Sequence, residues 1–245
     1  MANAYAGSTA TDTSKVARQL FLVCVLLTLA IFFVPYGRII GYPVLLISTL
    51  VHEMGHGITA LLVGAQFDSF QMWSDGSGVA AISGPSSAIS NALIAAGGLV
   101  GPSIAAAITF FAARHTSVAR IFLSLLGVGL IACEFLFVRN AFAWVFVGCL
   151  AAIFLWLAQE SRPVLAKGAL VFIAIELSMS VFSRSDYLFT DRAITAQGVI
   201  PSDVAAIAEA LLLPYWFWGA ICALFSVAVL GLGLWSYVSY RSTPD

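Results

Sequence analysis

His52-Glu53-Met54-Gly55-His56 sets two imidazoles four residues apart with a carboxylate between them. On a helix, side chains four apart share a face and lie about 5–6 Å from each other. Two imidazoles so placed can bind one zinc ion, and Glu53 then sits beside the metal's open position. Zinc lowers the pKa of a bound water to about 7, and a carboxylate can take the proton as that water attacks a carbonyl. Residue types and spacing therefore fit a metal-activated hydrolase, with His52 and His56 as ligands and Glu53 as general base. The only other histidine, His115, stands in a loop beside Arg114 and is a poor candidate ligand. The plainer reading of the same groups is a polar knot between helices, or a proton relay in a transporter.

The elements that must position this motif are apolar. Of 245 residues, 61% are hydrophobic and only 9% charged, and mean hydropathy is +0.99. Soluble domains carry about 25% charged residues, so this chain cannot clothe a globule in a solvated surface. That excludes an ordinary soluble enzyme and a disordered protein. With 11 Lys+Arg against 12 Asp+Glu, no basic face is left for nucleic acid. The fold class is an all-α polytopic membrane protein. A span needs about 20 apolar residues, and the apolar runs predict seven: Leu20–Tyr36, Val44–Val63, Ala88–Ala112, Ile121–Val138, Ala141–Ala158, Leu165–Phe182 and Leu211–Tyr237. The motif falls inside the second, where histidine and glutamate are costly and usually functional.

Residues 1–19, rich in Ala, Ser and Thr, read as a short disordered tail rather than a signal peptide, so the first span is a retained anchor. Residues 20–238 form one membrane-embedded domain, and 239–245 a C-terminal tail. Cys24, Cys133, Cys149 and Cys222 all fall in apolar runs without a CxxC pair and read as free thiols. With seven spans, Lys15, Arg18, Arg139, Arg184 and Arg192 share one side and Arg38, Arg114, Arg120, Arg162, Lys167 and Arg241 the other, which leaves orientation open.

An HExxH in an apolar helix, here Leu50-Val51-His52-Glu53-Met54-Gly55-His56-Gly57, resembles the site-2 protease family of intramembrane zinc metallopeptidases, in the branch of the sporulation-factor processing protease. Three further segments agree. Gln66–Ile82, centred on Ser74-Asp75-Gly76-Ser77-Gly78, resembles that branch's strand hairpin, and Asp75-Gly76 is a favoured tight-turn pair. Ala96-Gly97-Gly98-Leu99-Val100-Gly101-Pro102 resembles its glycine-rich helix, whose small residues allow close packing. Ser202-Asp203-Val204-Ala205, then Leu213-Pro214 and Trp216–Trp218, resembles its C-terminal signature.

The resemblance implies a third zinc ligand from an aspartate in an NPDG- or LDG-like motif on a later span, and this chain has no such motif. Six late acids remain. Asp186, at the end of the sixth run, and Asp203, at the start of an Ala-rich helix, are the two candidates. Asp186 could instead be an interfacial carboxylate paired with Arg184, and Ser202-Asp203 is also a good N-cap pattern. Glu176, near mid-span in Ile173-Ala174-Ile175-Glu176-Leu177, could ligate, bond a histidine from behind or stay protonated. Glu134 could pair with Arg139, and Asp191 and Glu209 read as solvated charges. Asn91 and Asn140 could orient a substrate backbone or bond neighbouring helices.

The expectation is a multi-pass intramembrane zinc metalloprotease of a bacterial cell membrane, cutting in or near the transmembrane segment of another membrane protein. A hairpin edge beside the site could take that substrate as an added strand. The rivals are an inactive protease-like protein, favoured by the missing NPDG-like motif, and a proton or metal-ion transporter, disfavoured by the lack of an internal repeat.

Overall fold

The computed structural model of the chain describes residues 18–31, 33–85, 87–183, 188–195 and 198–240. The helices are α1 (Arg18–Ile31), α2 (Gly37–Ile40), α3 (Tyr42–Leu62), α4 (Ala88–Ala112), α5 (Thr116–Phe137), α6 (Ala141–Gln159), α7 (Pro163–Ser183), α8 (Asp203–Leu211) and α9 (Tyr215–Val238). Two antiparallel hairpins interrupt them: β1 (Gln66–Met72) with β2 (Gly78–Ser83), and β3 (Arg192–Thr195) with β4 (Gly198–Pro201). Among the described residues, α3, α4, α5, α6, α7 and α9 are long and apolar enough to cross a membrane. Their outward faces carry large apolar side chains such as Leu26 on α1, Phe135, Val145, Leu224 and Trp235, suited to lipid as solvent. The fold is a polytopic all-α membrane protein.

Six of the seven expected spans stand among the described residues as full-length apolar helices, and the first corresponds to the apolar α1, whose fourteen described residues rise about 21 Å. Pro35 lacks an N–H and disfavours helix at the residue before it, and Tyr36 turns left-handed (φ 70°), so the helical run ends there and α2 begins at Gly37. Helix α1 lies along α7, where Thr28 Oγ1 donates to Glu176 Oε1 at 2.5 Å. The expected last span, Leu211–Tyr237, starts four residues later as α9, because Leu212 is left-handed (φ 65°) and Pro214 caps the helix, which leaves Leu211 at the end of the short α8.

Helices α3 and α4 run antiparallel with their backbones in contact. A Cβ added at Gly55 would lie 2.3 Å from the Gly97 carbonyl oxygen, and one at Gly101 would lie 3.3 Å from Gly55 Cα. Larger side chains there would hold the helices apart. The β1–β2 hairpin lies along the whole length of α3. Phe67 packs on Gly57, Gly78 touches Glu53 and Thr49, and at the tip the Tyr42 hydroxyl donates to the Ser74 carbonyl at 2.7 Å. The turn falls at Asp75-Gly76 as expected, with Gly76 at φ 87° and Asp75 Oδ1 accepting from the Ser77 amide and hydroxyl.

The expected Glu134–Arg139 pair does not form. Arg139 donates to the carbonyls of Val138 and Leu136, while Glu134 is buried against Gly148 of α6. All four cysteines are free, Cys24 and Cys222 buried and Cys149 exposed.

The close crossing at Gly55 makes a direct prediction. Gly55→Ala is expected to cost about 1–3 kcal/mol through overpacking, read as a lower unfolding temperature in detergent. Gly129→Ala, where an added Cβ meets nothing within 4 Å, should leave that temperature unchanged or raise it slightly.

Candidate active site

The HExxH turn occupies the part of α3 that faces α4, so both imidazoles project into the space the glycines leave open. The His56 ring lies flat against Gly98, where an added Cβ would come within 2.2 Å of Nε2. Its Nδ1 is 2.8 Å from the Ile94 carbonyl. A carbonyl only accepts, so Nδ1 carries the proton and Nε2 keeps its lone pair. The His52 ring stands edge-on to it, with centroids 4.8 Å apart and Nε2 to Nε2 at 3.2 Å.

The third member arrives from α8. Asp203 Oδ2 lies 3.1 Å from His52 Nε2, and Oδ1 lies 3.4 Å from His56 Nε2. The sequence leaves Ser202-Asp203 open to capping or to ligation, and the cap is Ser202 alone. Its buried hydroxyl accepts from the Ala205 amide at 3.2 Å and donates to the Thr190 carbonyl at 2.6 Å. Asp203 is thereby released from capping and turned toward the histidines, at a helix N-terminus that favours negative charge.

These contacts leave an electrostatic problem that a cation solves. With Nδ1 committed as donor, His56 Nε2 is an acceptor facing an acceptor oxygen. A shared cation makes that arrangement favourable. The separations of 3.1, 3.2 and 3.4 Å match the roughly 3.3 Å between ligand atoms of a tetrahedral site with bonds of about 2.0–2.1 Å. The donor set of two imidazoles and a carboxylate, with a fourth direction free, fits a metal ion held for chemistry rather than for structure.

Glu53 is buried beside this cluster, its side chain against Gly78 of β2. Thr49, one turn earlier, donates to the Gly76 carbonyl at 2.7 Å and ties the hairpin tip to α3. The outer edge of β1 is closed. Asn140 mimics a strand residue, accepting from the Met72 amide at 3.3 Å and donating to its carbonyl at 2.6 Å, and Arg139 N donates to Phe70 O. The outer edge of β2 has no strand partner among the described residues. A small cavity lined by Ser48, His52, Leu99, Pro102 and Ser180 opens at the cluster.

Of the residues expected at the site, His52, Glu53, His56 and Asp203 come together. Asp186 lies outside the described residues. Glu176 is not at the cluster but on α7 against Thr28. Sequence reading did not anticipate the Ile94 carbonyl, the Asn140 strand mimic or the β3–β4 hairpin that leads into Asp203. None carries a local signal: each depends on an approach of backbone from a distant part of the chain.

A family model described as peptidase M50B-like matches residues 22–233. The chain belongs to the peptidase M50B-like family. The match takes in the HExxH helix, both hairpins and Asp203, and with the six apolar helices it makes the protein a multi-pass integral membrane protein of a peptidase family. No curated protein and no solved structure matches the chain.

The seat of His56 on Gly98 yields a second prediction. Gly98→Ala is expected to displace the imidazole and abolish binding of one divalent metal per chain, measured by elemental analysis of purified protein. Gly168→Ala, whose Cβ would have an ordinary 3.5 Å contact with Leu20, should bind metal as the wild type does.

Proposed function

We propose that the protein is an intramembrane zinc metalloprotease that hydrolyses a peptide bond in or near the transmembrane segment of another membrane protein. The observation that carries this reading is the convergence of His52, His56 and Asp203 at tetrahedral ligand spacing beside Glu53, inside an apolar bundle. The missing NPDG-like motif removes no ligand, because Asp203 supplies the carboxylate from a different local sequence.

His52 Nε2, His56 Nε2 and one Asp203 oxygen would hold the ion. Bound zinc would supply Lewis acidity and activation of water near neutral pH. Glu53 takes a proton from the attacking water as its oxygen bonds to the scissile carbonyl carbon. It then returns that proton to the amine nitrogen as the C–N bond breaks. The Ile94 carbonyl holds His56 in the tautomer that keeps Nε2 available. The substrate must be extended to be cut, and the free edge of β2, against Glu53 at Gly78, suits an extended chain laid on as a further strand. Closure of the β1 edge by Asn140 leaves β2 as the edge available to it.

The test measures zinc per chain and cleavage of a model transmembrane substrate in detergent or nanodiscs. The wild type should hold about one zinc and cleave. Glu53→Gln should keep the zinc and lose about 10²–10⁴-fold in rate, and Asp203→Asn should lose both zinc and cleavage. A zinc-free, inactive wild type would overturn the reading.

A further inference from the structure

Glu176 is a second ionisable group in the apolar interior, and the hydrolytic chemistry does not use it. It sits in the middle of α7, where the membrane penalises a carboxyl group and where such groups are usually functional. Thr28 of α1 donates to Oε1 at 2.5 Å. The other oxygen, Oε2, has no hydrogen-bond partner among the described residues. A bond that only fastened α1 to α7 would need one acceptor, and a small hydroxyl would provide it at far lower cost in the bilayer.

Glu176 also lines a cavity of about 1020 Å³ between α1, α2, α3, α7 and the hairpin tip. That is the size of a large ligand pocket. Ile31, Val34, Val44 and Leu45 make much of its wall apolar, and Ser48 and Ser180 form a polar end. Those two serines line the small cavity at His52 as well, so the two spaces adjoin. Ser180 stands one turn beyond Glu176 on α7, and Ser48 one turn before His52 on α3, so the carboxyl group and the histidines flank the same pair of serines.

We propose that Glu176 is a specificity-determining residue. The cavity receives the transmembrane segment of the substrate, and Glu176 accepts a hydrogen bond from a donor side chain, an amide or hydroxyl, at one fixed position on the segment near the bond to be cut. This rests on the intramembrane protease reading. In an apolar segment a donor has few other partners, so the pairing selects substrates that carry one.

A matched pair of model transmembrane substrates tests it, with Gln or Met at one position scanned along the segment. The two side chains are alike in length, so the pair isolates hydrogen bonding. Wild type should prefer the Gln substrate by about tenfold in kcat/KM at the favoured position, chiefly through KM. Glu176→Leu should cleave both substrates equally, at the rate wild type shows for Met. Glu176→Gln, whose carbonyl oxygen can accept from Thr28 while its NH2 pairs with the side-chain carbonyl of the substrate Gln, should restore most of the preference. Thr28→Val, which removes the tie to α1 and leaves the carboxyl group in the cavity, should keep the preference while lowering thermal stability. Equal cleavage of both substrates by wild type, or an equal fall for both in Glu176→Leu, would overturn the inference and leave the protease reading intact. Failure of zinc-loaded wild type to cleave either substrate would overturn the protease reading itself.

Discussion

Three potential ligand atoms brought together within an apolar bundle form the constraint around which this structure is arranged. His52 Nε2, His56 Nε2 and the Asp203 carboxylate lie 3.1–3.4 Å apart, a spacing that one cation can share. Each is held there by a separate device. The helical period places His52 and His56 on one face of α3, the Ile94 carbonyl fixes the His56 ring, and the Ser202 cap turns Asp203 inward. The contact of Gly55 with Gly97 lets all three lie within reach of one ion, because a side chain at that crossing would separate α3 from α4. Packing at the glycines and chemistry at the histidines are therefore one requirement.

The bilayer imposes the second layer of order. Away from water, backbone N–H and C=O groups must be satisfied within the protein, yet a hairpin here lies along α3. Its cost is met on the β1 side by Asn140, whose side-chain amide replaces a neighbouring strand at Met72, and at the tip by Thr49 and Tyr42. The β2 side is left open where it touches Glu53. That edge has no strand partner among the described residues, and in the proposed protease an extended substrate backbone would pair with it. The large cavity beside α1 and α7 adjoins the small one at His52, so in that proposal backbone recognition and side-chain selection would act on one substrate segment.

Much of this was legible from residues alone, and the failures have identifiable causes. The metal-binding helix, the hairpin with its turn at Asp75-Gly76 and the close-packed α4 were all written in local pattern: a spacing of four, a tight-turn pair and a run of small residues. The apolar run Leu20–Tyr36 extends past the helical stretch, because composition does not register that Pro35 and the left-handed Tyr36 end it. Glu134 and Arg139 were paired on proximity in sequence. The helix instead ends at Phe137, and Arg139 turns to the carbonyls of Val138 and Leu136.

The sequence by itself determined the solvent and the candidate chemistry: too few charges for water, and an HExxH within an apolar run. Local rules suffice for both, since hydropathy sums along the chain and helical spacing is set by the backbone. Which carboxylate joins the two histidines was decided only by tertiary structure. Asp203 lies about 150 residues from the histidines, in a local sequence that reads equally well as a helix cap. Only the fold, through the β3–β4 hairpin, the Ser202 cap and the α4 surface on which α8 packs, shows that the cap and the ligand are different residues. The same holds for Glu176, whose neighbours Thr28 and Ser48 come from elements that no local pattern places beside it.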